Sequence, residues 1–166
     1  MSPNRSIRPA TAADAARLCD IQMDAWRSEY PHDVDPEMWL DADGFDRVAR
    51  EANMVWLLGA PTTRTFLVAE DDGAVVGFIT TGDSRDDDRV GETELSSIYF
   101  APASHGNGFA GELLQAALGA GPAYLWVAEA NGRARAFYGK AGFRVDGVRR
   151  DTDTLFDQPE IRMSRG

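Results

Sequence analysis

Hydrophobic and polar positions along this 166-residue chain follow two periods, one of about two residues that is typical of strands and one of about 3.6 that is typical of helices. Strands are predicted at 6–9, 65–69, 74–80, 94–101, 124–128, 143–148 and 160–163. Helices are predicted at 11–30, 35–52, 109–118 and 131–141, the second with a break at Gly44. Helices and strands are interleaved along the whole chain, which indicates an α/β protein.

Turn-forming residues show how these elements connect. Asp71, Asp72 and Gly73 lie between two apolar runs and predict a β-hairpin. In the second half of the chain helices follow strands, which favours a mixed sheet with helices on both faces. There are no internal repeats and no convincing linker, so we expect a single domain over residues 1–166.

Composition narrows the class of protein. The chain has 17 Lys and Arg against 27 Asp and Glu, a net charge of −10, which argues against nucleic acid as a partner. No apolar stretch reaches the roughly 20 residues that a membrane span needs. Residues 1–5 contain no apolar signal core, and Cys19 is the single cysteine, so a cytoplasmic location without a disulfide is expected. Cys/His clusters typical of zinc sites are missing, so no metal is predicted.

A glycine-rich turn between a strand and a helix is the most informative segment. Residues 98–111 place several backbone N–H groups and a helix N-terminus at one small volume, an arrangement that binds phosphate. Gly106, Gly108 and Gly111 also match the dinucleotide-binding pattern G-x-G-x-x-G, with Glu129 further on. That pattern belongs directly after the first strand of a domain, and here several elements precede it. A plain tight turn is the other interpretation.

A second segment supports a more specific interpretation. Residues 126–143, with Asn131 opening Asn-x-x-Ala-x-x-Phe-Tyr and Gly-Phe at its end, resemble a signature of the GCN5-related N-acetyltransferase (GNAT) family. In the same alignment residues 105–110 occupy the acyl-CoA pyrophosphate loop, and the resemblance extends from about residue 6 to 163. Position 105 is Gln or Arg in the family and His here, and position 107 is often Arg in the family and Asn here. The resemblance therefore leaves phosphate binding mainly to the backbone.

The resemblance implies a fold and a ligand. The fold is a central mixed, mostly antiparallel sheet of six to seven strands with about four helices on both faces. The co-substrate is acetyl-CoA, with no metal, and a homodimer is one arrangement common in the family. The residues that the resemblance assigns to the cofactor are Ile98, Tyr99, Phe100, His105, Gly106, Asn107, Gly108, Phe109, Ala110, Gly111, Asn131 and Phe137.

The resemblance also nominates two catalytic residues. Tyr138 occupies the position of a family tyrosine whose hydroxyl lies near the sulfur, and a phenol is a suitable donor to a thiolate. Helical periodicity alone allows Tyr138 to be a core residue. Glu94 occupies the position of a general base in some members of the family, and Glu92 is the other candidate for this role. An ion pair between Glu94 and an arginine, with a water path for the proton, is the alternative.

The acceptor is expected to be a primary amine of a small molecule or peptide. Trp26 and Tyr30 share one face of the first helix, in the region that walls the acceptor site in the family. Aromatic rings can hold a cationic amine, and simple packing is the other interpretation of both residues. No cysteine is placed to carry the acyl group, so direct transfer is predicted. A non-catalytic acyl-CoA-binding or regulatory module on the same fold is the alternative function.

Overall fold

The computed structural model describes residues 4–29, 47–89, 91–151 and 158–166. The strands are β1 Arg5–Pro9, β2 Thr65–Asp71, β3 Ala74–Asp83, β4 Thr93–Phe100, β5 Ala123–Ala128, β6 Arg144–Arg150 and β7 Glu160–Arg165. The α-helices are α1 Ala15–Glu29, α2 Arg47–Gly59, α3 Phe109–Leu118 and α4 Gly132–Lys140. Short 3-10 turns lie at Ala12–Asp14, Asp87–Arg89 and Pro102–Ser104.

The strands form one seven-stranded sheet in the order β1-β2-β3-β4-β5-β7-β6. All neighbours are antiparallel except β4 and β5, which run parallel. In this parallel pairing only Thr93, Glu94 and Leu95 of β4 lie opposite residues of β5, which are Ala123, Tyr124 and Leu125. Beyond Leu95 no described strand pairs with β4 on that side, so the sheet splits there. The split is the structural basis of the site described below.

Helices pack on both faces of the sheet, as predicted. On one face α3 and the strand β5 share a core that includes Leu113, Leu125 and Phe143. On the other face α1 and α2 cover β2 and β3, with Leu18 and Phe78 among the buried residues. Two separate cores, one on each side, hold the sheet rigid, and this stiffness positions whatever lies at the split.

A polar loop covers part of the face on which α1 and α2 lie. Arg162 of β7 is 3% exposed, and its guanidinium donates hydrogen bonds to Asp86, Asp88 and Asp146. Asp86 also accepts from the indole nitrogen of Trp126 on β5 at 3.1 Å. The charged loop that follows β3 is therefore fixed to β5 and β7 by paired charges, which is how a buried guanidinium is tolerated.

The predicted elements largely agree with the structure. The resumption of the second helix after Gly44 is confirmed by α2, whereas its predicted start near Asp35 and the break itself lie outside the described residues. Strand β3 continues to Asp83, three residues further than expected. Gly142 has a φ of +92° and ends α4, as predicted. Within the described residues, no helix is both long enough and apolar enough to cross a membrane.

Candidate active site

A groove of about 430 Å³ opens where β4 and β5 separate. It lies between the end of β4, the turn before α3, and α4. The lining residues are Ala25, Ile98, Tyr99, Phe100, Ser104, His105, Gly106, Asn107, Gly108, Ala110, Arg133, Ala134, Ala136, Phe137, Tyr138 and Lys140. The groove is thus lined both by a polar loop and by aromatic side chains of α4.

The edge of β4 contributes backbone groups to the groove. The N–H of Ala101 donates to the carbonyl of Val76 on β3 at 2.8 Å. Because backbone groups alternate along an antiparallel ladder, those of Ile98 and Phe100 point the other way, toward the split. No described strand pairs with them there. An extended ligand can therefore form hydrogen bonds with this edge in place of a strand.

The turn before α3 forms a cradle of backbone donors. Gly106 has a φ of +78° and Gly108 a φ of +83°, a left-handed conformation that favours glycine. Within the described residues, the N–H groups of Gly106, Gly108 and Ala110 have no acceptor. These donors lie at the N-terminus of a ten-residue helix, where the dipole favours an anion.

Contacts from outside the turn fix its shape. The side chain of Asn107 accepts a hydrogen bond from the N–H of Phe109 at 3.1 Å. Arg5 of β1 donates to the Asn107 carbonyl at 3.4 Å, and its guanidinium carbon lies 4.9 Å from the centroid of the Phe109 ring. Phe109 itself is 1% exposed and anchors the first turn of α3 in the core. The cradle is thus held by side chains rather than by the turn alone.

His105 connects the end of β4 to α4. Its Nδ1 lies 3.1 Å from a guanidinium nitrogen of Arg133, and its Nε2 lies 3.1 Å from the Phe100 carbonyl oxygen. A guanidinium has no acceptor, so Nδ1 must accept, and Nε2 then carries the proton that it donates to Phe100. This assigns the neutral tautomer with the proton on Nε2.

Tyr138 is one of the aromatic residues that line the groove. Its ring makes edge contacts with Phe137, at 5.3 Å between centroids, and with Phe143, at 6.1 Å. Because Tyr138 is partly exposed and lines the groove, it packs against the core and faces the groove at once. The position of Tyr138 is therefore compatible both with a core residue and with a residue that meets the ligand sulfur.

Glu94 lies in an ion pair and is not among the groove-lining residues. It is 2% exposed and accepts from the Nε of Arg85 at 2.9 Å and from the Tyr124 hydroxyl at 3.0 Å. Burial alone would raise the pKa of Glu94, but the hydrogen bonds and charge of Arg85 outweigh burial and lower that pKa. These contacts match the ion-pair alternative, and the base role stays a prediction.

Trp26 contacts the site through β4. Its indole nitrogen donates to the Tyr99 hydroxyl at 3.0 Å, and the two rings meet edge to face. Arg50 of α2 lies 5.0 Å from the Trp26 ring centroid. Trp26 is not a lining residue of the groove, although its neighbour Ala25 is. Tyr30, the other residue predicted to bind the acceptor, lies outside the described residues.

The structure brings most of the predicted cofactor residues to one groove. Those that line it are Ile98, Tyr99, Phe100, His105, Gly106, Asn107, Gly108, Ala110 and Phe137. Phe109, Gly111 and Asn131 do not. Asn131 accepts from the N–H of Ala134 at 3.0 Å, which confirms its predicted helix cap, while its contact with a ligand stays a prediction.

The sequence interpretation passed over two basic residues in the groove, Arg133 and Lys140. Both lie within the segment that carries the resemblance. With Phe137 they follow helical spacing on α4, and that spacing could have placed all three on one face. They matter because they are the Arg and Lys among the lining residues, in a chain of net charge −10.

Comparisons with known proteins point to one family. A model of the acetyltransferase (GNAT) family matches residues 15–143. A Mycobacterium tuberculosis protein named Uncharacterized N-acetyltransferase is 38% identical over 94 residues, which are 52% of this chain and 56% of that protein. A second, named Probable N-acetyltransferase, is 27% identical over 157 residues, 87% of this chain and 82% of its own. This chain thus spans little more than half of the first relative.

A solved structure shows the same fold. The crystal structure of the PaiA N-acetyltransferase from Thermoplasma acidophilum, in complex with coenzyme A, matches with a TM-score of 0.69 at 20% identity and covers 98% of both chains. Because the family model covers well over half of the 166 residues, this chain belongs to the acetyltransferase (GNAT) family.

Proposed function

We propose that this protein transfers the acetyl group of acetyl-CoA directly to a primary amine. The observation that carries the proposal is the groove at the β4–β5 split, which is lined both by backbone donors and by Tyr138. A long ligand with an anionic part and a thioester matches both features. Coenzyme A bound to a structure of the same fold is consistent with this choice.

The residues present fit the donor. The N–H groups of Gly106, Gly108 and Ala110 suit an anion, since they have no acceptor in the described part of the chain. The open edge of β4, with the backbone groups of Ile98 and the N–H of Phe100, suits the amides of an extended pantetheine arm, which would take the place of a paired strand. The Phe100 carbonyl already accepts from His105. Neither contact needs a particular side chain, so the departures at His105 and Asn107 do not prevent binding.

The transfer requires one bond to form and one to break. The unprotonated amine nitrogen attacks the thioester carbonyl carbon, a C–N bond forms and the C–S bond breaks. Backbone N–H groups on β4 stabilise the charge that the carbonyl oxygen gains. The Tyr138 hydroxyl gives its proton to the departing sulfur and is reprotonated from solvent, and the products are the acetylated amine and the free thiol of coenzyme A.

The amine proton needs a separate route. Glu94 is the nominated base, yet its ion pair with Arg85 and its lowered pKa make it a weak one. We therefore favour the alternative in which water carries the amine proton to solvent. Under this mechanism Glu94 fixes the start of β4, and it acts on catalysis only through structure.

The acceptor enters from the face on which α1 lies, in this proposal. Trp26 and Tyr99 form an aromatic pair there, and aromatic faces attract cationic amines. The net charge of −10 favours the approach of such an acceptor. Small amines and peptide amines both satisfy these conditions.

The decisive experiment measures release of the coenzyme A thiol from acetyl-CoA with a panel of primary amines and peptides, and identifies the product by mass spectrometry. Amine-dependent thiol release with an acetylated product is expected. The alternative function, a non-catalytic acyl-CoA-binding module, predicts coenzyme A binding by calorimetry without thiol release for any acceptor.

A further inference from the structure

The cradle before α3 contains no Lys or Arg in residues 105–111. Arg5 contacts the cradle from outside the groove lining and is paired with Glu112, so a diphosphate held there would meet mainly backbone dipoles, in a protein of net charge −10. Unfavourable long-range electrostatics make a nearby cation valuable. The cation must then come from another element of the fold.

Arg133 on α4 meets this need. It lines the groove, and one of its guanidinium nitrogens lies 3.1 Å from His105, the first residue of the cradle. Lys140 lines the groove as well, but it stands two helical turns further along α4. Arg133 is therefore the groove cation that contacts the cradle.

His105 restrains Arg133. Its Nδ1 accepts from the guanidinium, and its Nε2–H donates to the Phe100 carbonyl at the end of β4. A restrained guanidinium loses less side-chain entropy when it binds an anion than a freely rotating one does. The imidazole thus fixes the cation at the mouth of the groove without itself carrying charge.

We propose that Arg133 binds the diphosphate of the acyl-CoA donor and that His105 is its positioning residue, so that a cation from α4 replaces the one missing from the loop. This inference rests on the proposed function. It assigns a specific task to a residue that the resemblance did not assign, and it explains why a histidine suffices at position 105.

The test is calorimetric binding of three compounds to the wild-type protein and to Arg133→Met. The compounds are coenzyme A, 3′-dephospho-coenzyme A and pantetheine, which lacks the diphosphate. A charge-assisted contact predicts an increase in Kd of about ten- to a hundredfold for the first two compounds and none for pantetheine. The matched control is Arg135→Met, because Arg135 lies on the same helix, donates to the Glu129 carbonyl and does not line the groove.

Two outcomes would overturn the assignment. If Arg133→Met weakens coenzyme A but not its 3′-dephospho form, the residue binds the 3′-phosphate instead. If neither affinity changes, Arg133 does not bind the donor at all. Failure of the proposed function is a different result: the wild-type protein would then bind coenzyme A without transferring the acetyl group.

The positioning role of His105 has its own readout. His105→Ala is expected to raise the Kd for coenzyme A several-fold, and His105→Ala combined with Arg133→Met to be no weaker than Arg133→Met alone. Additive losses in this double-mutant cycle would show that His105 acts independently of Arg133 and would refute the positioning role.

Discussion

The guanidinium of Arg5 lies 3.4 Å from the backbone carbonyl of Asn107, although 102 residues separate the two in sequence. The Asn107 carbonyl and the Gly108 N–H belong to one planar peptide and point in opposite directions. Arg5 therefore contacts the carbonyl on one side of the peptide and leaves the N–H on the other, at Gly108, which lines the groove. A residue of the first strand thus sets the geometry of the cradle.

We expect Arg5→Met to raise the Kd for coenzyme A several-fold, because the peptide before Gly108 loses its restraint. Pantetheine binding should not change, since pantetheine has no diphosphate to meet the cradle. Arg17→Met is the control: Arg17 also donates to a backbone carbonyl, that of Val75, and neither residue lines the groove. Equal effects of the two variants on coenzyme A binding would contradict the role of Arg5.

The glycines of the cradle are not equivalent. Gly108→Ala forces a side chain into a φ of +83° and should lower the free energy of unfolding by about 1–2 kcal/mol, with weaker coenzyme A binding. Gly111 lies inside α3 with open space around it, so Gly111→Ala should raise the free energy of unfolding by about 0.5–1 kcal/mol. Urea unfolding measures both values, and a stabilised Gly108→Ala would disprove the requirement for glycine.

Tyr138→Phe keeps the packing of the ring and removes only the hydroxyl. If that hydroxyl protonates the departing sulfur, kcat should fall about a hundredfold while the KM for acetyl-CoA stays within twofold. An acetyl donor with a more acidic thiol needs less protonation and should recover much of the lost rate. Unchanged kcat with acetyl-CoA would mean that Tyr138 only packs.

The Glu94→Gln variant distinguishes a general base from a residue that acts only through its ion pair. We expect kcat to change less than threefold and the free energy of unfolding to fall by about 1–2 kcal/mol, because the charge-assisted bond with Arg85 is lost. Steady-state kinetics across pH and urea unfolding give the two numbers. A hundredfold loss of kcat that vanishes at high pH, at unchanged stability, would restore Glu94 as the base.

Asp14 makes the stability of the protein depend on pH in the acid range. Hydrogen bonds from Arg8 lower the pKa of Asp14 from 3.8 to about 2, against the effect of its burial. The folded pKa lies below the unfolded one, so the stabilisation is fully present above about pH 4 and disappears as pH falls toward 2.

Asp14→Asn should therefore cost stability at pH 7 and little at pH 2. Because Arg8 is 36% exposed, solvent screening reduces the expected cost to about 1 kcal/mol. Urea unfolding at both pH values measures it, with Asp24→Asn, at a half-exposed carboxylate, as the control. A cost that persists unchanged at pH 2 would assign it to packing instead.

The sequence alone was sufficient to predict the described strands and helices and the glycine-rich turn before α3, because the signals for these features are local. The hairpin at Asp72-Gly73, the glycine at 142 and the Asn131 cap each depend on residues within one turn or helix. The segment around Asn131 pointed to the family, and with it to the fold. Most of the predicted cofactor residues share one groove for that reason.

Only the tertiary structure decided which partners the charged side chains meet. The chain has 17 Lys and Arg and 27 Asp and Glu, and sequence spacing does not select Arg85 for Glu94, Arg5 for Asn107 or Arg133 for His105. Those partners come from different elements, which the packing of the sheet brings together. Local preferences thus determine the strands, helices and backbone cradle, whereas long-range packing determines the charges around them.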